Sequence, residues 1–320
     1  MWIVPEAAIA GLVSEQDAFD AVSATFASMA RADACNFPVV REALGGGRQY
    51  GFKSGLDRTA GQLGVKAGGY FPGNDARGLI NHQSSVFLFD PESGVLQAVV
   101  GGNLLTALRT AAASAISIAH LARTDAKVLG MIGAGHQSVF QMRAAVRQRA
   151  FERVVGWNHH PAMLPRLAEC AADLGLPFES VSPEELGAQA DVIISITSSP
   201  AASLMDRHVR PGTHLACMGT DTIGKQEVDP ALLARAAVFT DEVAQSVTIG
   251  EAQHAISAGL IGADAITPIG AVINGDHPGR AHADQITLFD GTGVGLQDIA
   301  IATRALERAR ATGVAVEVAL

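Results

Sequence analysis

The sequence predicts an α/β fold centred on a Rossmann-type doubly wound parallel sheet, and three observations carry that prediction. The first is VLGMIGAGHQS, where an apolar run from Val128 to Ile132 stops at Gly133, Ala134, Gly135, His136, Gln137 and Ser138. It reads as a strand, a glycine turn and a helix start. Gly133 permits the tight turn, Gly135 lets a pyrophosphate approach the backbone, and the small Ser138 allows close helix packing. The second is RVVGWN, a further apolar run about twenty residues beyond the first glycine, whose polar end is where a ribose-binding residue belongs. The third is the alternation of strand-like DVIISIT, THLACMG, AVFTDE and QITLFDG with helical stretches, the pattern of a parallel sheet. A buried glycine turn in some other α/β fold is the alternative.

Ahead of the glycine loop, Ser14 with Asp17 resembles a capping box, and Phe19, Val22, Phe26 and Met29 recur at helical spacing. A first helix is expected there. Arg41 ends the short apolar run of NFPVVRE, and Gly45 to Gly47 are expected to loop into QYGFKSGLD. For an isolated cation in such a loop, solvated surface is the simpler reading. In QLGVKAGGYFPGN, Val65 and Lys66 point to opposite faces of a strand flanked by Gly64, Gly68 and Gly69. Lys66 is then either an edge-strand gatekeeper or a residue where a ligand comes close to the backbone. INHQSSVFLFDPESGVLQAVVGG reads as a hairpin around Asp90 to Gly94, with His82 and Gln83 at its entrance. The alanine-rich helix that follows carries Arg109 as its only formal charge. A buried guanidinium needs anions, so Arg109 either binds a carboxylate or phosphate of a ligand or sits in an internal salt bridge.

The chain of 320 residues is long enough for two domains. No uncharged apolar run approaches the roughly 18 residues of a membrane span, and MWIVPE lacks the basic start of a signal peptide. A soluble cytoplasmic enzyme without membrane contact is expected. Cys35, Cys170 and Cys217 form no CxxC pair, which argues against a disulfide framework or structural zinc; they read as core thiols, and no metal is expected. A net charge of −9 without a basic run argues against nucleic acid as a partner.

LLTALRTAAASA, GAGHQS, GTDTIGKQE and LFDGTGVGLQD, with GVKAGG before them, fall in the order found in the ornithine cyclodeaminase and mu-crystallin family. The chain resembles that family from about Arg41 to Asp298, and NFPVVRE, YGFKSG, INHQSSVFLFD, VVGWN and CMGTDTIGKQE most resemble its imine-reducing members. The resemblance implies a dinucleotide-binding domain, 123–293, inserted in an α+β substrate-binding and dimerisation domain, 1–122 with 294–320. LQDIAIATRALERARATG would be the helix that returns to the latter, and a homodimer is implied. Arg41, Lys66 and Arg109 correspond to substrate contacts, and Asp221 to the catalytic aspartate. Arg109, Thr110, His136, Gln137, Asn158, Ser198, Met218, Gly219, Lys225 and Gly291 are placed around the cofactor, beside Gly133, Gly135 and Ser138 of the fingerprint.

Two departures from the family pattern matter. The chain has INHQ where many members carry proline and threonine or serine, so His82 can serve a different substrate. It has GFKSG instead of an MPA-like segment, which adds Lys53 and Ser54. A second cation suits a substrate with two carboxylates. The expected activity is therefore NAD(P)H-dependent reduction of a dicarboxylic imine to an amino acid, iminosuccinate to L-aspartate. Arg41 and Arg109 would hold the α-carboxylate, Lys53 or His82 the second one, and Lys66 with Asp221 would handle protons. Asn158 stands where an acidic residue would favour NAD; His159 and His160 tolerate a 2′-phosphate, yet no arginine lies at this strand end. NAD is the expected cofactor, with NADP open. The competing readings are a cyclodeaminase, a reductase of pyrroline-2-carboxylate, and a mu-crystallin-like binding protein.

Overall fold

The computed structural model describes residues 1–319, and the chain divides into two compact units, Met1–Arg109 with the chain from Val294 onward, and Thr110–Gly293. In the second unit the strands lie in the order Phe178–Ser180, Arg153–Trp157, Val128–Ile132, Val192–Ser195, His214–Cys217, Thr287–Asp290, Ala237–Thr240 and Ile266–Pro268. Every pairing is parallel. The order reverses between Val128–Ile132 and Val192–Ser195, and the glycine turn leaves the first of these strands at that point, where open α/β sheets bind ligands. Leu129, Met131, Val154, Ile194 and Phe289 are fully buried, as strands covered on both faces require. The outer strands Phe178–Ser180 and Ile266–Pro268 were not among the runs singled out in the sequence; at three residues each they are too short to show a period.

The first unit is a largely antiparallel sheet in the order Val316–Glu317, Trp2–Val4, Leu96–Gly101, His82–Phe89, Gln62–Tyr70, Arg48–Asp57 and Ala34–Asn36, with Val40–Gly45 also paired to Arg48–Asp57. The helix Glu15–Ala30 starts at the expected capping box, in which Ser14 and Asp17 satisfy each other's backbone N–H. The returning helix, Gly295–Ala311, lies against the sheet. A Cβ on Gly55 would come within 2.8 Å of Leu296, and one on Gly64 within 2.9 Å of Ile299. Those glycines let the helix approach closely and define an inner, helix-covered face.

Several local expectations change. Gly45 to Gly47 form a tight hairpin rather than a loop, all three with positive φ, so Arg41 and Lys53 both stand on strands. Cys170 and Cys217 are buried thiols, whereas Cys35 is half-buried because it lies on a short strand at one side of the sheet. The helix Asn103–Leu121 crosses the division between units at 109/110, whereas the sequence places the boundary at its end, 122/123. Its first turn is capped by Glu6, which accepts from Asn103 N and Leu104 N at 3.0 and 2.8 Å. Beyond Arg109 its side chains turn to other partners, Ser114 to Gln141 and Ser117 to His214. The apolar pattern runs unbroken across that change. This helix has the length and hydropathy of a membrane span, with 83% of its apolar window buried within the fold, as a core helix has.

Candidate active site

The cationic cluster of the first unit is built by strand register. Lys53 stands opposite Lys66, and Lys66 opposite Val86, so all three share the inner face. Arg41 shares it too, opposite Gly51, which in turn faces Gly68. No side chain covers the sheet at those two positions, and none fits: a Cβ would lie 2.1 Å from Val40 O at Gly51 and 2.4 Å from Gln83 O at Gly68. Lys53 and Lys66 are 7% and 6% exposed, and the Lys66 strand has a partner on each side, which removes the edge-gatekeeper reading. His82 is on the same face but opposite Tyr70, four residues along the sheet from the Lys66 level, roughly 13 Å away along the strand. The register thus sets Lys53, not His82, beside Lys66.

The partner of this cluster is Asp298, fully buried in the first turn of the returning helix. Lys66 Nζ lies 2.7 Å from Asp298 Oδ2. Arg109 Nε donates to Asp298 Oδ1 at 3.2 Å, and Arg109 Nη1 donates to Gln297 Oε1 at 3.2 Å. Arg109 therefore has the internal salt bridge that the sequence left as one alternative, shared with Lys66. The helix N-terminus favours a carboxylate there. Gly295 sets the helix start against the sheet, since its Cβ would meet Ser54 N at 2.6 Å. Burial lowers Lys66 to about 8; Asp298 opposes the shift, and Arg109 and Arg41 reinforce it. Burial pushes Asp298 up, but Lys66 and Arg109, helped by Lys53, outweigh it and hold the carboxyl below its ordinary value. Four cations, Arg41, Lys53, Lys66 and Arg109, thus influence the region of one carboxylate.

In the second unit Gly133 takes φ +102°, and a Cβ there would strike Ile196 O at 2.5 Å. A Cβ on Gly135 would meet nothing within 4 Å, so that side of the loop is open to a ligand's approach. Asn158 Oδ1 accepts from Ala134 N at 3.0 Å and its Nδ2 donates to His160 O at 2.9 Å, which makes it a brace of the loop. Ser138 is buried and donates to Gly135 O at 2.7 Å. The buried Oε1 of Gln137 has no hydrogen-bond partner. An open glycine, an unpaired acceptor and a following helix N-terminus fit a dinucleotide. Burial lowers the His136 pKa, with Arg166 adding to the effect. Arg166 is the cation that the sequence did not show: the helix Pro165–Asp173 brings it back to the loop, where Nη1 donates to Ala134 O at 2.9 Å.

The remaining expected residues form two groups. Lys225 Nζ donates to Asp221 Oδ1 at 2.8 Å and to Gly219 O at 3.3 Å. Met218 lies on Gly291, whose Cβ would meet Met218 Sδ at 2.6 Å. Ser198 follows the strand Val192–Ser195, and Thr110 is buried in the helix after Arg109.

The model of the ornithine cyclodeaminase/mu-crystallin family matches residues 7–313. The chain belongs to this family. It is 64% identical over 319 residues to iminosuccinate reductase of Paracoccus denitrificans strain Pd 1222, covering 99% of both chains. The crystal structure of the Paracoccus denitrificans enzyme in complex with NAD+ superposes with a TM-score of 0.95 at 63% identity, over 100% of this chain and 99% of that one. An archaeal alanine dehydrogenase dimer with bound NAD is similar at TM-score 0.94 and 30% identity, over 100% and 99% of the two chains. Thermococcus litoralis Δ1-pyrroline-2-carboxylate reductase, solved with NADH and L-proline, reaches TM-score 0.94 at 25% identity, over 99% and 100%.

In this family member Asp298, Gln297 and Arg166 escaped sequence reasoning. The signal for Asp298 was present, because a buried Arg109 demands an anion. Which acid supplies it depends on a contact across 189 residues.

Proposed function

We propose that this family member reduces iminosuccinate to L-aspartate, with NADH as cofactor. The observation that carries the reading is the surplus of buried positive charge around Asp298, in a chain so similar to an iminosuccinate reductase. A cationic site suits a substrate with two carboxylates, and an open glycine loop suits the nucleotide.

In the mechanism, Arg41 and Arg109 hold the α-carboxylate, and Lys53 meets the second, with His82 further along the same face. Charge-assisted bonds of this kind are worth about 1.5–3 kcal/mol each. Lys66 Nζ holds the proton that the imine nitrogen takes up, and Asp298 keeps that ammonium oriented. Asp221, held by Lys225, is the second proton-handling group. NADH supplies the hydride. Because Lys66 is lowered to about 8, it keeps its proton at neutral pH and releases it readily. A proton donor must be protonated, so the rate of reduction is expected to fall as pH rises through about 8. A kcat profile from pH 6 to 10 checks this.

A homodimer fits the outer face of the first unit's sheet. Val40 and Phe52 are cross-strand partners there, Tyr50 lies two residues away, and the three are 44%, 43% and 38% exposed. Tyr50 and Phe52 meet edge to face at 5.6 Å. Such an apolar face calls for a cover, and a second copy of the sheet supplies one. Size-exclusion chromatography with light scattering is expected to give a dimer for the native chain and a monomer for Phe52→Glu. A cytoplasmic setting is supported by the three unpaired thiols.

The deciding experiment follows NADH absorbance with iminosuccinate made in place from oxaloacetate and ammonia, with pyruvate, glyoxylate and pyrroline-2-carboxylate as comparisons. Rapid loss with the dicarboxylic imine, yielding aspartate, is expected. Preference for pyrroline-2-carboxylate would remove Lys53 as a carboxylate anchor. No net oxidation with any of them would point to a cyclodeaminase.

A further inference from the structure

The proposed chemistry leaves two buried acids of the second unit unused. Glu227 and Glu251 are each 1% exposed. Glu227 Oε1 accepts from Ser195 Oγ at 2.7 Å, Thr197 N at 2.7 Å and Thr197 Oγ1 at 2.9 Å, while its Oε2 accepts from Gly219 N at 2.7 Å. These donors sit at and just beyond the C-terminal ends of the strands Val192–Ser195 and His214–Cys217, so one carboxylate ties two strand ends together. Glu251 Oε1 accepts from Glu227 N and Val228 N, both at 2.9 Å, and its Oε2 shares the Glu227 N–H at 3.1 Å and lies 2.5 Å from Thr220 Oγ1.

Between these ties runs the segment from Gly219 to Glu227, which carries Asp221 and Lys225. Its base is closed by the two acids. Its tip is held by Gln253, whose Oε1 accepts from Gly224 N at 2.9 Å, and by His254, whose Nε2 lies 2.8 Å from Lys225 O. The base is closely packed, since a Cβ on Gly219 would lie 2.1 Å from Thr197 O.

Among the described residues neither acid has a Lys or Arg within ion-pair distance, and two carboxylates in one dry site do not both ionise cheaply. The four donors around Glu227 suit an anion. The nearest neighbour of Glu251 Oε2 is a hydroxyl, which can accept as well as donate. We propose that Glu227 and Glu251 are positioning residues of the Asp221 loop, Glu227 as the anion that binds both strand ends and Glu251 as a neutral acid donating to Thr220 Oγ1. The inference rests on the reading that this loop serves imine reduction.

The electrostatics agree. Burial, then the Glu227 charge, pushes Glu251 up to about 8, with Asp290 adding in the same sense. Burial raises Glu227 as well, against the pull of its donors. The other titratable neighbours offer no compensating charge: burial raises Asp290 to about 7, and burial followed by the nearby acids pushes the Cys217 thiol well above its ordinary value.

The test compares alanine and glutamine at each position in the full-length protein. A glutamine at 251 keeps an N–H for Thr220 Oγ1 and a carbonyl for the two backbone amides. Glu251→Ala is expected to lower kcat by about tenfold or more and Glu251→Gln to restore most of it. Glutamine at 227 must turn an NH2 toward a backbone or hydroxyl donor, so neither Glu227→Ala nor Glu227→Gln should recover; kcat should fall more than KM or NADH affinity, measured by fluorescence titration, changes.

A second readout needs no substrate or cofactor. The folded chain holds the Glu251 proton more tightly than the ordinary value of 4.5, so its stabilisation is full below that pH and is lost progressively up to about 8. The Tm of the native chain should therefore fall relative to that of Glu251→Gln between about pH 5 and pH 8. A Glu251→Gln protein as impaired as Glu251→Ala, or a Tm difference flat with pH, would overturn the proposal. If the native chain fails to reduce iminosuccinate, the functional reading falls, while the Tm comparison still judges the acid pair.

Discussion

Lys66→Met is expected to lower turnover by about 10²–10⁴-fold, the usual worth of a positioned proton donor. Methionine replaces the apolar stem of the lysine as far as Cε and lacks only the ammonium, so the inner face stays largely filled. Asp298 keeps its hydrogen bond from Arg109, which spares it from becoming an unpaired buried charge. Apart from Arg109, the residues expected around the nucleotide belong to the other unit of the chain and none of them is altered, so NADH affinity in a fluorescence titration should stay within about twofold of the native value. Retention of native turnover would remove Lys66 from proton transfer.

The second large effect is expected for Asp298→Asn. Removing the carboxylate leaves Arg109 buried without its anion, and a guanidinium cannot shed its proton to relieve the cost. Breaking such a pair costs about 3–5 kcal/mol, which corresponds to a fall in Tm of roughly 10 °C for a chain of this size. Activity should fall with it. Asp298 is the main force that opposes the depression of Lys66 by burial, so its loss lowers Lys66 further, below about 8. Less of the donor is then protonated at neutral pH, and the alkaline limb of the kcat profile should move to lower pH. A limb that stays in place would show that Asp298 does not govern the Lys66 proton.

The two variants divide a cluster whose members differ in how legible they were. Lys66 is visible in the sequence because glycines surround a charged strand residue, and Arg109 because it is the lone charge of an alanine-rich helix. Each was left with two readings, since a buried cation implies a partner without naming it. Asp298 closes a motif that reads as the start of a helix, and nothing in its neighbours marks it as a counter-ion. Arg166 is eight residues past the end of the RVVGWN run and looks like helix surface until the chain folds back to the glycine loop.

Local chemistry determined the elements that depend on residues near in sequence. The glycine turn at Gly133, the capping box of Ser14 and Asp17, the hairpin around Asp90 to Gly94 and the six main strand runs of the parallel sheet are all read from spacing, because turns, caps and periodicity act over a few residues. Tertiary structure decided which cations share a face, which acid neutralises them and how far Lys66 is shifted. Register between strands sets the first, and a helix from the far end of the chain supplies the second. The third follows from burial, which only the assembled unit creates. Charge and desolvation act through space, so their balance at Lys66 is a property of the fold and of no single stretch of the chain.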